Sequence, residues 1–185
     1  MKEIELKDFF SKIQYNWKQD KEKISTICKF TKTRNKPEID EFKLVPGMEQ
    51  PFLMKAIAKY FNASNMLEIG TGRGTASFSV ALLSNIKEII TTDILYFSQK
   101  RNTAIDFRPA FVSNEDLYNE IPYSEKKKII FRHASEVDDI EEKYEESIDL
   151  CFIDGNHDDQ YTIAKDYEIC QEVLAEDGVV IFDDY

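Results

Sequence analysis

Apolar residues recur along this chain at helical spacing and in short strand-like runs, and the two kinds of segment alternate. Leu6, Phe9, Phe10, Ile13 and Trp17 fall at helical spacing and predict an amphipathic helix near the start. The charged, Pro-bounded stretch 32–46 reads as a loop. Residues 1–48 therefore form a helical prefix, which packs on the core or covers the mouth of the site as a lid. From residue 49 the pattern becomes regular. Phe52, Leu53, Ala56, Ile57 and Tyr60 mark a helix face, followed by a strand over 65–69. A helix over 73–83 leads to a strand over 88–92 that stops at Asp93. Segment 94–128 is irregular and carries Arg101, Arg108, Pro109 and Pro122. A strand over 129–132 precedes an acidic helix over 136–146, whose charge run reads as a solvated face. Residues 148–153 are apolar apart from Asp149 and suit the centre of a parallel sheet. A helix over 158–174 and a strand over 179–182 close the pattern. This alternation predicts an α/β domain over 49–185, a doubly wound and mainly parallel sheet with right-handed crossovers.

The first strand runs straight into Gly70, Gly72 and Gly74, with Thr71 inside the turn and Glu68 two residues ahead of it. Glycines at this density let the backbone turn tightly and approach a ligand where a Cβ would block it. A pyrophosphate cradle of the form G-x-G-x-x-G needs glycine at position 75, which is Thr75. A carboxylate below a tight turn suits a ligand carrying ammonium or hydroxyl donors instead. Ligands of open α/β sheets collect beyond the carboxyl ends of the strands. The polar residues of interest sort there: the 70–74 turn, Asp93, Ala134 with Ser135, Asp154, and Asp183 with Asp184.

Turns favour Asp in any case. Asp93 thus reads either as an acceptor for ligand hydroxyls or as a turn residue, and Ser135 also suits a helix N-cap. Asp154, Asp183 and Asp184 lie at the ends of strands expected to be neighbours. Gathered together, three carboxylates raise one another's pKa unless a cation neutralises them. Hard oxygens favour Mg²⁺, Ca²⁺ or Mn²⁺. The bland alternative makes Asp154 a helix cap and leaves the other two in solvent. His157, three residues after Asp154 at a helix start, is a candidate general base; a solvent-facing histidine is the other reading.

The chain has 185 residues and a formal net charge of −11, with 42% hydrophobic residues. One globular domain with a substantial core fits that length. The acidic balance argues against nucleic acid or an anionic membrane as partner, since both need a basic face. Cys28, Cys151 and Cys170 are odd in number and widely spaced, which points to a reducing compartment rather than a disulfide framework. The charged N-terminus is unlike a signal peptide, and no apolar run approaches spanning length, so a cytoplasmic protein is expected.

On the strand–turn motif Glu68-x-Gly70-x-Gly72-x-Gly74 the chain resembles the class I S-adenosylmethionine (SAM) methyltransferases. Phe152-Ile-Asp-Gly-Asn-His157 and Ile181-Phe-Asp-Asp-Tyr185 resemble metal-dependent O-methyltransferases of the catechol and macrocin types. Asp183-Asp184 departs from the Asp-Asn of the catechol type and sits closer to the macrocin type. The resemblance covers about residues 46–185 and is thin across 94–128. It implies a Rossmann-like fold and metal-assisted methylation of a small hydroxylated substrate. It assigns SAM to Glu68, Gly70, Thr71, Gly72, Asp93 at the ribose, Ala134 and Ser135 at the adenine edge, and Asp154. It further assigns a divalent cation, Mg²⁺ first, to Asp154, Asp183 and Asp184, and catalysis to His157 and Asp154. Two alternatives share the fold: a cephalosporin-hydroxylase-like enzyme, and a non-catalytic SAM-binding or assembly subunit. Enzymes of this class continue past the fifth strand with a helix and an antiparallel hairpin, whereas the sequence ends at Tyr185. The expectation is a fragment, or an exposed edge strand that drives a two-fold homodimer.

Overall fold

The computed structural model describes residues 6–31, 49–104, 109–155 and 159–183. Five strands, β1 (Asn65–Ile69), β2 (Glu88–Asp93), β3 (Ile129–His133), β4 (Ile148–Ile153) and β5 (Leu174–Phe182), form one sheet. Every pairing is parallel, in the order β3-β2-β1-β4-β5. The helices are α1 (Leu6–Lys12), α2 (Lys21–Phe30), α3 (Glu49–Tyr60), α4 (Thr75–Ala81), α5 (Asn114–Glu120), α6 (Val137–Tyr144) and α7 (Gln160–Val173).

Alternation along the strands divides the core in two. Met66, Ile89, Leu150 and Phe152 pack against Ile27 of α2, Met54 and Ala58 of α3, and Ala76 and Val80 of α4. Leu67, Ile90, Cys151 and Ile153 face the other way, onto Ile140 and Tyr144 of α6 and Cys170 and Val173 of α7. Both sheet faces are thus covered, which is why β4 is apolar from Leu150 on; its one carboxylate, Asp149, accepts from Ser64 and Asn65 N–H at 2.7 and 2.9 Å. Each fully buried large aliphatic contributes about 1.5–3 kcal/mol.

Strands β1 and β4 match the predicted ranges, and β2 and β3 each run one residue further. β5 departs most. It begins at Leu174, opposite Ile148, and its register then jumps so that Val179 faces Leu150. The intervening Asp177-Gly178 looks like a turn in sequence, and the strand absorbs it as an irregularity.

The helix predicted through Trp17 stops at Lys12. Gln14 takes a left-handed φ of 54°, and Tyr15 N–H donates to the Phe10 carbonyl at 2.8 Å while Gln14 N–H donates to that of Ser11. That is the Schellman ending. Trp17 opens a 3₁₀ turn and meets the Phe52 ring edge-on at 5.9 Å. α2, absent from the sequence reading, buries Ile24, Ile27 and Cys28. Asp20, just ahead of it, accepts hydrogen bonds from Tyr15 Oη at 2.7 Å and from buried Lys55 Nζ of α3 at 2.6 Å. Burial, with Asp20 beside it, holds the Tyr15 phenol far above its ordinary pKa.

Segment 94–128, read as irregular, contains α5. Its start is a capping box, Ser113 Oγ accepting from Asp116 N–H while the Asp116 carboxylate accepts from Ser113 N–H. Phe97 and Tyr118 pack with Phe131 of β3, at 4.5 and 5.9 Å between ring centres. Among the described residues no helix is long and apolar enough to cross a membrane.

Candidate functional site at the carboxyl ends of the strands

The turn after β1 is held from both sides. Gly70 and Thr71 N–H groups both donate to the Thr92 carbonyl of β2, at 3.0 and 2.9 Å. On the other side Asp154 N–H donates to the Ile69 carbonyl at 2.8 Å. Gly70 has φ +98°, and a Cβ there would lie 2.1 Å from the Asp154 carbonyl oxygen. Both conformation and space demand glycine. Gly72 and Gly74 also have positive φ, and Gly74 opens α4.

Glu68 shares a sheet face with Met66 and so points toward α4. Its carboxylate accepts from Ser77 Oγ at 2.6 Å and Thr91 Oγ1 at 2.5 Å, which ties α4, β1 and β2 together beneath the turn. Thr71 Oγ1 lies 2.7 Å from Thr91 Oγ1 and extends the chain upward. Burial pushes Glu68 up to about 7, the two hydroxyls oppose the rise, and nearby Asp93 adds to it.

Asp93 is buried at the end of β2, where its Oδ1 accepts Leu95 N–H at 2.8 Å. That bond is an Asx turn. It throws Ile94 outward, 67% exposed beside the carboxylate. At the end of β3, Ala134 and Ser135 lie in a short 3₁₀ turn capped by His133 rather than by Ser135. His133 Nδ1 accepts Ser135 N–H at 3.2 Å and lies 2.7 Å from Ser135 Oγ. Its Nε2 faces the Ile94 carbonyl at 3.1 Å. The network assigns the ring proton to Nε2. Tyr96 stacks on the same ring at 4.0 Å. His133, given no role by its sequence context, thus stitches the β2 loop to the β3 loop; no short-range pattern would reveal a partner 39 residues away.

Asp154 and Asp183 end the neighbouring strands β4 and β5, and Asp183 N–H donates to the Ile153 carbonyl at 3.0 Å. Their side chains converge as expected, but on a residue the sequence did not signal. Gln50, in the first turn of α3, donates from Nε2 to Asp154 Oδ2 at 2.9 Å and to Asp183 Oδ2 at 3.1 Å. Burial pushes the Asp154 carboxyl up to about 8, reinforced by the charges of Asp183 and Glu68 and opposed by the Gln50 hydrogen bond. Among the described residues no three His, Cys, Asp or Glu side chains form a metal cage. His157 and Asp184 lie outside the described residues.

This geometry suits a ligand that brings hydroxyl donors to Asp93 and positive charge to the acids around Gly70. A family model for a methyltransferase domain matches residues 67–185, and the chain belongs to that family. No curated protein sequence matches it. Among solved structures it is similar to the O-methyltransferase from Bacillus cereus in complex with S-adenosylhomocysteine (SAH), with a TM-score of 0.56 at 18% identity. That match covers 87% of this chain and 65% of the other, so the chain spans just under two thirds of that protein's length. It is also similar to the O-methyltransferase TomG from Streptomyces achromogenes, involved in tomaymycin synthesis and in complex with SAM. Here the TM-score is 0.54 at 15% identity, over 94% and 69% of the two chains. SAH-bound methyltransferase PaMTH1 from Podospora anserina gives 0.57 at 15%, over 99% and 72%. The five-stranded parallel sheet with helices on both sides is the Rossmann-like fold of the class I methyltransferases.

Proposed function

We propose that this chain transfers a methyl group from SAM to a hydroxyl of a small acceptor, with a divalent cation beside the acceptor. The observation that carries the reading is the gathering of Glu68, Asp93, Asp154 and Asp183 around a glycine turn at the strand ends. Carboxylates crowded in a partly buried site call for positive charge. The sulfonium and ammonium of SAM would supply it, held by the turn at Gly70, and Asp93 would accept from the ribose hydroxyls. Exposed Ile94 offers an apolar surface to the adenine, with Ala134 and Ser135 at its edge.

The donor set also fits a hard cation, since the Asp154 and Asp183 oxygens already converge on one point. Asp184 is a further carboxylate in the adjoining sequence. A bound cation would lower the acceptor hydroxyl's pKa and fix its oxygen. When bound, SAM would supply the methyl group, its C–S bond breaking to leave SAH; His157 would take the acceptor's hydroxyl proton as that oxygen bonds the methyl carbon.

Calorimetric titration with SAM, SAH and NAD, with and without Mn²⁺, tests the cofactor. SAM and SAH should bind and NAD should not. Transfer of labelled methyl to a panel of small hydroxylated acceptors tests the reaction. Tight SAM binding without transfer to any acceptor would favour a binding subunit over an enzyme.

A further inference from the structure

We infer that Gln50 is a further protein ligand of the cation site, contributed by the N-terminal end of α3. This rests on the reading of Asp154 and Asp183 as cation ligands and adds to it a residue 104 and 133 positions earlier in the chain.

The Gln50 amide nitrogen stands 2.9 Å from Asp154 Oδ2 and 3.1 Å from Asp183 Oδ2, where both carboxylates aim. A cation bound by these two oxygens would lie near that place, with the Gln50 side chain drawn back by about one metal–oxygen distance. Mg²⁺ and Ca²⁺ sit at about 2.0–2.6 Å from their oxygens, so the acids need close in only slightly. The amide NH₂ has no acceptor to offer a metal. Its other end does. A half-turn about the last side-chain bond, a broad two-fold torsion, turns Oε1 instead of Nε2 toward the two acids, so that the withdrawn amide would face the cation with its oxygen. One side chain therefore serves both states: it donates to the two carboxylates without the cation and supplies a neutral hard oxygen with it. Gln carbonyls are ordinary ligands of hard cations. Gln50 is also well placed to keep its aim, because Phe52 and Met54, in the next turn of α3, are fully buried.

Titrating Mn²⁺ into the full chain, without SAM, for the wild type, Gln50→Ala, Gln50→Glu and Asp154→Asn tests this. Circular dichroism would confirm that each variant is folded. Gln50→Ala should weaken Mn²⁺ binding on the order of 10–100-fold. Gln50→Glu, which replaces the neutral oxygen with a charged one, should bind at least as tightly as wild type, and it keeps the test open should Gln50→Ala misfold. If Gln50→Ala binds Mn²⁺ as well as or better than wild type while Asp154→Asn loses it, Gln50 is only a competitor for the acids. The inference then fails while the cation site stands. Weakened binding in Gln50→Glu would likewise overturn it. If wild type binds no Mn²⁺, the cation reading itself falls and takes the inference with it.

Discussion

Gly70 and Asp154 approach so closely that a methyl group on the first would lie 2.1 Å from the carbonyl oxygen of the second. The turn after β1 and the end of β4 are therefore one structural unit, and the gap between them has no side chain to adjust it. Gly70→Ala should move the turn, cost at least the 1–2 kcal/mol of a left-handed backbone, and abolish SAM binding. Thermal unfolding together with SAM calorimetry would read both effects. A variant with wild-type affinity would mean that the turn is remote from the cofactor.

Asp93 is the test of the ribose assignment. Asp93→Ala should weaken SAM binding by about 1–3 kcal/mol, the range for leaving polar partners unmatched. It also removes the Leu95 N–H bond and loosens the β2 loop. Asp93→Asn, which keeps an acceptor for that bond, separates the two effects: loop order should return while affinity stays low.

Glu68 makes stability depend on pH. The native carboxyl holds its proton up to about 7, whereas the unfolded one releases it in the ordinary range near 4.3. The folded state thus binds more protons between those values, so stability falls as pH rises through them. Glu68→Gln should flatten this decline between about pH 4.5 and 7, with its amide oxygen still accepting from Ser77 and Thr91. Melting temperature against pH for the two proteins measures it, and parallel curves would count against a raised Glu68.

Lys55 and Asp20 pin the N-terminal helices to α3. Lys55→Met leaves the half-buried Asp20 charge with Tyr15 as its remaining side-chain donor among the described residues, and should destabilise by about 1–3 kcal/mol. Asp20→Asn with Lys55→Met should recover part of the loss. A double-mutant cycle in urea would show the coupling, and additive losses would deny it.

His157→Ala should lower methyl transfer by about 10²–10⁴-fold with little change in SAM affinity, the signature of a lost general base. Steady-state rates paired with SAM calorimetry would check it. Retention of near-wild-type turnover would remove His157 from the chemistry.

The strands and their order of use were legible because burial on both faces writes long apolar runs: β1 and β4 fall where the sequence places them. The strand-end positions of Asp93, Asp154 and Asp183 were legible because polar residues close such runs at the carboxyl edge of the sheet. Gln50, His133 and Ile94 were not. Gln50 reaches acids 104 and 133 residues away, and its own neighbourhood shows only a polar position at a helix start. α2 was missed because its few apolar positions are set among lysines, and its burial depends on α3 and α4 being there to receive it. The α5 cap, Ser113-x-x-Asp116, was a readable signal that the surrounding charge and prolines obscured.

The three cysteines are all buried, yet they sit in different parts of the interior. Cys28 packs with Phe10, Tyr15, Ile24 and Phe52 between the N-terminal helices and α3, whereas Cys151 of β4 and Cys170 of α7 pack together on the far side of the sheet. Burial alone pushes the Cys28 thiol up to about 12, far from a reactive thiolate. Each thiol becomes labelled only when its own compartment opens, so the chain carries a built-in pair of clocks. Detachment of the N-terminal helices would modify Cys28 while the other two stay silent, and global unfolding would release all three at one rate.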